Sequence, residues 1–233
     1  MPSTPGSIYY NSVSDMYRMS STRRNRVLTL LGRQLDLRGQ SDRSVLDIGI
    51  GSGEIGKYCA ERADARRLYT EGIDLAQPLV QEHAKVYTKT RACNVDDPDW
   101  TKQFSRQFDV IVASEILEHL FRPDVFLGQL RLLVKGDGCV ILTTPNLLLW
   151  TKRIKFLFGL HEYGDSGLFE WGHIHLFSWR FLKKLVHRSG FRIVDSYHLM
   201  HPNMLNRWHR FMPGLLAFQF IIVLTPDVPH SAV

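Results

Sequence analysis

Residues 45–53 read VLDIGIGSG, and the next seven residues, EIGKYCA, have helical character. A short apolar strand here contains one acidic residue, Asp47, and leads into a loop with glycine at every second position. Glycine allows the backbone to adopt positive φ and to approach a ligand closely. The start of the following helix offers free N–H groups. This stretch therefore predicts a site for a nucleotide-type ligand in an α/β fold.

Strands and helices alternate around this stretch. Strands are predicted at 44–48, 68–73, 88–94, 108–113 and 138–143, and helices near 53–64, 76–85, 98–105 and 123–134. The runs VIVA at 110–113 and VIL at 140–142 are continuously apolar, as expected of strands buried on both faces of a parallel sheet. The order favours a Rossmann-like, doubly wound α/β fold. We predict an N-terminal helical segment over 1–40, with a helix at 9–35, and one domain over 41–233.

The composition bounds the class of protein. The 233 residues suffice for one domain, and 44% hydrophobic and 22% charged residues are ordinary for a globular chain. The three cysteines have no CxxC spacing, which favours a reducing compartment. No apolar stretch reaches the roughly 20 residues of a membrane span, and none near Met1 is typical of a secretory signal. We expect a cytoplasmic protein.

Basic and aromatic residues are concentrated in the second half. Residues 147–213 hold ten Lys or Arg against four Asp or Glu, which equals the net charge of +6 of the whole chain. We interpret 147–172 as an insertion and 199–213 as a second irregular stretch, and together they are predicted to cap the acceptor site. A helix at 179–189 and strands at 191–197 and 217–224 are predicted around them. A solvated basic face and a local hydrophobic cap are the alternative interpretations.

The motifs resemble those of the class I S-adenosylmethionine-dependent methyltransferases. VLDIGIGSG, GIDL (72–75), FDVIVASEILEHL (108–120), GCVILTTPN (138–146) and HLFSWRFLKKLVHRSGF (175–191) occur in the family's order. The later motifs are similar to the branch of the ubiquinone-biosynthesis O-methyltransferases. The resemblance implies a seven-stranded sheet, mostly parallel, whose final strand is antiparallel. It also implies S-adenosyl-L-methionine as cofactor, bound at Asp47, Gly49, Gly51, Gly53, Asp74, Leu75, Asn94, Val95 and Ser114.

Within that resemblance each cofactor residue has an expected role. Asp47 is expected to hold the ammonium group, and Asp74 to accept the ribose hydroxyls. Asn94 and Val95 stand where the family contacts adenine, and Ser114 stands near the sulfonium. A helix N-cap is the alternative for Asp74, and an ordinary turn residue is the alternative for Asn94.

Candidate catalytic groups follow the fourth strand. An oxygen nucleophile requires removal of its proton or a lower pKa. Glu115, Glu118 and His119 have the i, i+3, i+4 spacing that places side chains on one face of a helix. His119 and Glu115 are therefore predicted as catalytic residues, with a structural role for His119 as the alternative.

Two carboxylates and an imidazole can also hold a divalent cation. The E-x-x-E-H pattern and the later H-x-F-x-W pattern resemble those of the small-RNA 3′-end 2′-O-methyltransferases. That resemblance implies a site for Mg²⁺ or Mn²⁺ at Glu115, Glu118, His119 and His175, and we expect only one of His173 and His175 to reach it.

The leading hypothesis for function is O-methylation of a small or lipid-linked, anionic hydroxyl compound. Basic and large apolar residues in 147–172 and 199–213 suit peripheral contact with a membrane. They also suit an RNA strand, so metal-assisted ribose 2′-O-methylation is one alternative. A non-catalytic binding module is another, and the sequence leaves the oligomeric state open.

Overall fold

The computed structural model describes residues 20–37, 42–63, 68–160 and 172–227. One sheet runs through it, with strands in the order β3-β2-β1-β4-β5-β8-β6, while the short β7 pairs with β8. The strand bounds are β1 Arg43–Ile48, β2 Leu68–Asp74, β3 Lys89–Ala92, β4 Phe108–Ser114, β5 Val134–Pro145, β6 Phe191–Ser196, β7 Leu199–Met200 and β8 Ala217–Pro226.

The sheet is mostly parallel, as predicted. Strands β1 to β5 pair in parallel, and β8 inserts antiparallel between β5 and β6. The Rossmann-like fold and the antiparallel final strand are therefore confirmed. The described residues contain eight strands rather than the predicted seven, because Leu199 and Met200 pair briefly with β8. Two residues without alternating polarity give no strand signal in a sequence.

Seven α-helices surround the sheet in the described residues. Their bounds are α1 Ser21–Leu37, α2 Glu54–Ala63, α3 Gln77–Glu82, α4 Pro123–Leu133, α5 Trp150–Leu157, α6 Trp179–Arg188 and α7 Pro213–Leu216. Shorter 3₁₀ helices cover Trp100–Gln103, Leu117–His119 and Asn203–Trp208. None of the α-helices of the described ranges is long and apolar enough to cross a bilayer.

Several predicted boundaries differ from the structure. The helix predicted at 98–105 is one 3₁₀ turn, and the helix predicted at 9–35 is described from Ser21, since residues 1–19 lie outside the described ranges. The predicted insertion at 147–172 contains helix α5, and its residues 161–171 also lie outside those ranges. The stretch 199–213, predicted as irregular, holds β7 and a 3₁₀ helix.

Alternate residues of the strands pack into two separate hydrophobic cores, one on each face of the sheet. On one face, Val45, Val110 and Ile141 pack against α1 and α2, whose buried residues include Leu31 and Ile55. On the other face, the neighbouring residues of the same strands pack against α4 and α6, with Leu46, Ile111, Leu142, Phe126 and Leu182 in one cluster. Burial on both faces explains why these strands are continuously apolar.

The topology places the loops of interest together. Strand β1 pairs with β2 on one side and with β4 on the other. The strand order therefore changes direction at β1, with β2 and β3 on one side and β4 and β5 on the other. In open α/β sheets the crevice at such a point, beyond the carboxyl ends of the strands, is where ligands bind. The glycine loop after β1, Asp74 at the end of β2 and Glu115 after β4 all lie at that edge.

Candidate active site

The glycine loop adopts the backbone conformation that its composition predicts. Gly49, Gly51 and Gly53 all have positive φ, at 82°, 50° and 71°. A Cβ at Gly49 would lie 2.5 Å from Ile116 Cδ1, so a side chain here would press on the segment that follows β4. Only glycine meets both the φ and the space at this position.

Gly53 also has a packing role. Its Cβ would lie 2.8 Å from His83 Nδ1, and Gly53 does not line the cleft beyond the strand ends. Gly53 therefore allows the start of α2 to pack against the buried His83 ring. Its expected contact with the cofactor stays a prediction.

The other predicted cofactor residues line one cleft. Four strand ends contribute to it, and the apolar side chains of Ile50, Leu79 and Ile116 complete its walls. The predicted residues found in the lining are Asp47, Gly49, Gly51, Asp74, Leu75, Asn94, Val95 and Ser114. The structure thus brings together residues that are far apart in the sequence.

Asp74 fixes the shape of the cleft. Its Oδ1 accepts a hydrogen bond from the Ala76 N–H at 2.8 Å, and its Oδ2 accepts one from the Gly51 N–H at 3.3 Å. Burial raises the pKa of Asp74, and these backbone donors oppose the rise. The carboxyl group therefore holds the glycine loop while it faces the cleft.

Asp47 is bound to a tyrosine behind the loop. The Tyr87 hydroxyl donates to Asp47 Oδ2 at 2.5 Å and accepts from the Gly56 N–H at 3.1 Å. Burial raises the pKa of Asp47 to about 8, and the charge of Asp74 adds to this increase. Asp47 lines the cleft and also links β1 to the first turn of α2 through Tyr87.

Asn94 lies in a side-chain-capped turn. Its Oδ1 accepts a hydrogen bond from the Asp96 N–H at 3.1 Å, and Asp96 Oδ1 accepts one from the Phe121 N–H at 3.0 Å. These bonds tie the loop after β3 to the segment after β4. Both residues line the cleft.

Glu115 adopts the left-handed conformation, with φ of 57°. Non-glycine residues rarely adopt it, and the surrounding contacts must stabilise it. The Glu115 N–H donates to Thr143, and the Thr143 hydroxyl donates to Glu115 Oε1 at 2.9 Å. The other carboxylate oxygen, Oε2, lies 3.0 Å from Arg23 Nη1.

Arg23 is a site residue that the sequence reasoning missed. It lies on α1, lines the cleft and has a side chain that is 18% exposed. Helix α1 begins with three arginines, at 23, 24 and 26, and only its packing shows which one faces the cleft. That packing is fixed by buried Val27 and Leu31 and by Arg26, whose guanidinium lies 3.9 Å from the centroid of the Tyr197 ring.

A cluster of three metal-ligating side chains lies behind this end of the cleft. Ligand atoms of Glu118, His119 and His173 lie within 4.8 Å of one another. Glu118 is fully buried; its Oε2 accepts from the Thr144 hydroxyl at 3.0 Å, and its Oε1 has no hydrogen-bond partner among the described residues. Burial and the charge of Glu115 raise the pKa of Glu118 well above its usual range.

His119 connects the cluster to the cleft. Its Nδ1 lies 2.9 Å from the Gly172 carbonyl oxygen, which can only accept, so Nδ1 carries the proton and Nε2 the lone pair. Its ring centroid lies 4.7 Å from that of His173. Burial, with the charge of His173, lowers the pKa of His119 to about 4, so the imidazole is neutral near pH 7.

The side chains that converge here differ in part from the predicted ligand set. Residues Leu117–His119 form a 3₁₀ turn rather than an α-helix, so the i, i+4 argument for a shared face does not hold. His173 joins Glu118 and His119, whereas His175 Nε2 lies 3.3 Å from the Phe121 carbonyl oxygen. Glu115 stays beside Glu118 but is bound by Arg23 and Thr143.

Comparison with known proteins identifies the class. Residues 19–196 match the model of a family described as a methyltransferase domain, which is more than half of the chain. The chain therefore belongs to the class I S-adenosylmethionine-dependent methyltransferases.

Curated relatives are named more narrowly. A ubiquinone biosynthesis O-methyltransferase of Neisseria meningitidis is 32% identical over 119 residues, which are 48% of this chain and 46% of that protein. A protein of the same name from Coxiella burnetii is 25% identical over 123 residues, 51% of this chain and 49% of the other. The chain spans about half the length of the curated relatives it matches.

Solved structures support the fold. The CMeT domain of the citrinin polyketide synthase superposes with a TM-score of 0.66 at 20% identity, covering 97% of this chain and 58% of that chain. A TehB-like methyltransferase from Corynebacterium glutamicum gives 0.56 at 17% identity, covering 92% and 98%. At these identities the similarity concerns the fold alone.

Proposed function

We propose that this protein transfers the methyl group of S-adenosylmethionine to a hydroxyl oxygen of a small or lipid-linked acceptor. Family membership supports the donor, and the names of the curated relatives support oxygen as the acceptor atom. The main support for the proposal is the position of His119. Its neutral ring lines the cofactor cleft and lies beside the buried carboxyl group of Glu118.

The cleft fits the cofactor because its two ends differ chemically. At the β2 end, the Asp74 carboxylate is the acceptor for the ribose hydroxyls. The backbone at Gly49 and Gly51 lines the cleft, and a Cβ at Gly49 would press on Ile116 in its wall. Asp47 takes the ammonium group, and Arg23 is the cation available for the carboxylate. Leu75, Asn94, Val95 and Ser114 supply the remaining walls, with adenine at Asn94 and Val95 and the sulfonium near Ser114.

The donor supplies an activated methyl group, so the protein's own task is alignment and control of one proton. In the metal-free site, His119 Nε2 carries the lone pair and takes the proton of the acceptor hydroxyl. A cation bound at this nitrogen would replace that role by lowering the pKa of the hydroxyl. The Gly172 carbonyl holds the tautomer through Nδ1. Glu115 acts beside it by holding Arg23 and, through Thr143, the end of β5.

The cluster behind the cleft also fits a divalent cation. The Glu118 Oε1 is buried without a hydrogen-bond partner in the described ranges. The bond from His119 Nδ1–H to the Gly172 carbonyl oxygen orients the imidazole, as is usual for a metal-binding histidine. One carboxylate and two imidazoles suit Mn²⁺ better than Mg²⁺, which prefers oxygen ligands. A bound cation would lower the pKa of the acceptor hydroxyl. We therefore place the proposed metal at Glu118, His119 and His173.

Titration of Mn²⁺ into the metal-free chain, followed by electron paramagnetic resonance, tests the cation site. We expect binding that weakens at least tenfold in Glu118→Gln and in His173→Ala and that is retained in His175→Ala. The reverse behaviour of the two histidine variants would restore the ligand set implied by the sequence motifs. No Mn²⁺ binding by the unmodified chain would remove the metal from the proposal and leave His119 as the base.

Ribose 2′-O-methylation of RNA is the second candidate, and the same cluster favours it. The two functions are separated by where the methyl group goes. We expect label from methyl-tritiated S-adenosylmethionine to enter the organic phase when the chain acts on a bacterial lipid extract. Label in total RNA, dependent on Mn²⁺ and absent from lipid, would favour the second candidate. Label in neither, with cofactor bound, would favour a non-catalytic binding module.

A further inference from the structure

Exposed apolar side chains are concentrated in two segments, the first of which follows the carboxyl end of β5. Of the 17 large hydrophobic residues that are exposed in the described ranges, ten lie in residues 147–160 and 199–213. They are Trp150, Ile154, Phe156, Leu157, Phe158, Leu160, Met204, Trp208, Phe211 and Met212. We call these two segments together the cap surface.

The two segments form one surface rather than two. The Trp150 indole N–H donates to the His201 carbonyl oxygen at 3.2 Å, and the two rings stack at 6.4 Å. Arg153 Nη2 donates to the Gly214 carbonyl oxygen at 3.2 Å, just after the second segment. Helix α5 is thereby held against the chain at both ends of the second segment, at His201 and at Gly214.

Helix α5 does not contribute to either core. None of its eight residues is buried, although Ile154, Phe156 and Leu157 are apolar. Leu157 is 79% exposed and Phe158, which follows the helix, is 68% exposed. A helix with no buried residue and several exposed apolar side chains is typical of a surface that binds a membrane or another molecule.

The charge of the cap surface has one sign. Its two segments contain the basic residues Lys152, Arg153, Lys155, Arg207 and Arg210 and no Asp or Glu. Arg210 is paired with Asp195 outside the surface, and Arg153 is turned toward backbone carbonyls. The cationic side chains therefore favour an anionic partner, and the apolar ones favour a partner with an apolar interior.

From this combination we infer that the cap surface docks the protein onto an anionic lipid bilayer. Exposed aliphatic groups such as Leu157, Leu160 and Met204 gain free energy in an acyl layer, whereas RNA offers them only base faces, which aromatic side chains use better. The first segment also begins three residues after Thr144, which binds Glu118. Docking would thus bring the active-site edge of the sheet to the lipid. The inference rests on the proposed function only in naming a lipid-linked acceptor.

Co-sedimentation of the full chain with vesicles tests the docking. We expect strong binding to phosphatidylcholine with about one-third phosphatidylglycerol and weak binding to phosphatidylcholine alone, because the basic residues require anionic lipid. Leu157→Asp should reduce the bound fraction about tenfold, since one buried leucine contributes that order of affinity. The matched control is Leu132→Asp on α4, whose leucine is 63% exposed outside the cap surface.

A charge pair completes the test. Lys152→Glu with Lys155→Glu should weaken binding to the anionic vesicles about tenfold or more, whereas Lys85→Glu with Lys89→Glu, at the β3 edge of the sheet, should not. Equal binding by all variants, or no binding by the unmodified chain, would overturn the docking. Tight binding of a single-stranded RNA that depends on the lysines but not on Leu157 would overturn it in favour of RNA.

The docking and the proposed function fail separately. Vesicle binding needs no cofactor, and it is measured without turnover. If the unmodified chain does not bind vesicles but methylates a water-soluble hydroxyl compound, the docking alone is contradicted. Vesicle binding by a chain that binds no S-adenosylhomocysteine would contradict the proposed function alone.

Discussion

Arg23 Nη1 on α1 lies 3.0 Å from Glu115 Oε2 at the end of β4. The contact joins the first described helix to a glutamate in the left-handed conformation, and both residues line the cleft. Two mostly buried charges at the mouth of a ligand site stabilise each other and also remain available to a zwitterionic ligand.

Replacing Arg23 by alanine should weaken binding of S-adenosylhomocysteine about tenfold, because the cleft loses its cation and Glu115 is left without its partner. Isothermal titration calorimetry measures the change. Arg33→Ala, an exposed arginine on the same helix, should bind like the unmodified chain. Equal affinities for the two variants would show that Arg23 serves only the fold.

Tyr87→Phe should lower the free energy of unfolding by about 2 kcal/mol, because the buried Asp47 loses its hydroxyl donor and the Gly56 N–H its acceptor. Urea unfolding followed by circular dichroism gives the value. Tyr69→Phe is the matched control: its hydroxyl also donates to a buried carboxylate, Glu71, but Arg91 remains paired with that group. We expect a clearly smaller loss there, and equal losses would contradict the role assigned to Tyr87.

His198 should make stability depend on pH. Burial, with the charges of His209 and Arg210, lowers its pKa to about 3, against 6.5 for an ordinary histidine. Between these values the unfolded chain binds more protons, so the contribution is complete above pH 6.5 and is lost as the pH falls. Asp47 and Glu118 have raised pKa values and oppose this slope.

A variant isolates the contribution of His198. His198 packs against Trp179 and Phe220, so phenylalanine is a fitting replacement. Between about pH 7.5 and pH 5, the unmodified chain should lose about 2 kcal/mol more stability than His198→Phe. His187→Phe, at an exposed position on α6, should leave the slope unchanged. Parallel pH profiles for the unmodified chain and His198→Phe would contradict the assignment.

The sequence predicts the framework of this fold because its signals are local. Continuous apolar strands and the glycine spacing identify β1, the loop and most of the sheet, and Asp74 follows from its place after a strand. The short β7 and the 3₁₀ helices carry too few residues for a periodic signal. These short elements are stabilised by their contacts with the rest of the fold, such as the pairing of β7 with β8, rather than by their own composition.

The active site is less predictable for the same reason. The E-x-x-E-H spacing finds Glu118 and His119, but the conformation of Glu115 and the 3₁₀ turn decide which atoms converge. His173 and His175 are two residues apart in the sequence. The backbone N–H groups of residues 174 and 175 donate to the Glu118 carbonyl oxygen, and this pairing places the His173 ring in the cluster. Arg23 depends on the rotation of α1, which is a property of packing.

We infer that this cleft binds S-adenosylmethionine through the Asp74 carboxylate. Calorimetric titration of S-adenosylhomocysteine tests it most directly, with Asp74→Asn as the variant and Asp97→Asn, an exposed aspartate in the loop after β3, as the control. We predict binding by the unmodified chain and the control, and an affinity at least about tenfold lower in Asp74→Asn, since charged hydrogen bonds are lost. No binding by the unmodified chain, or equal affinity in Asp74→Asn, would contradict the account.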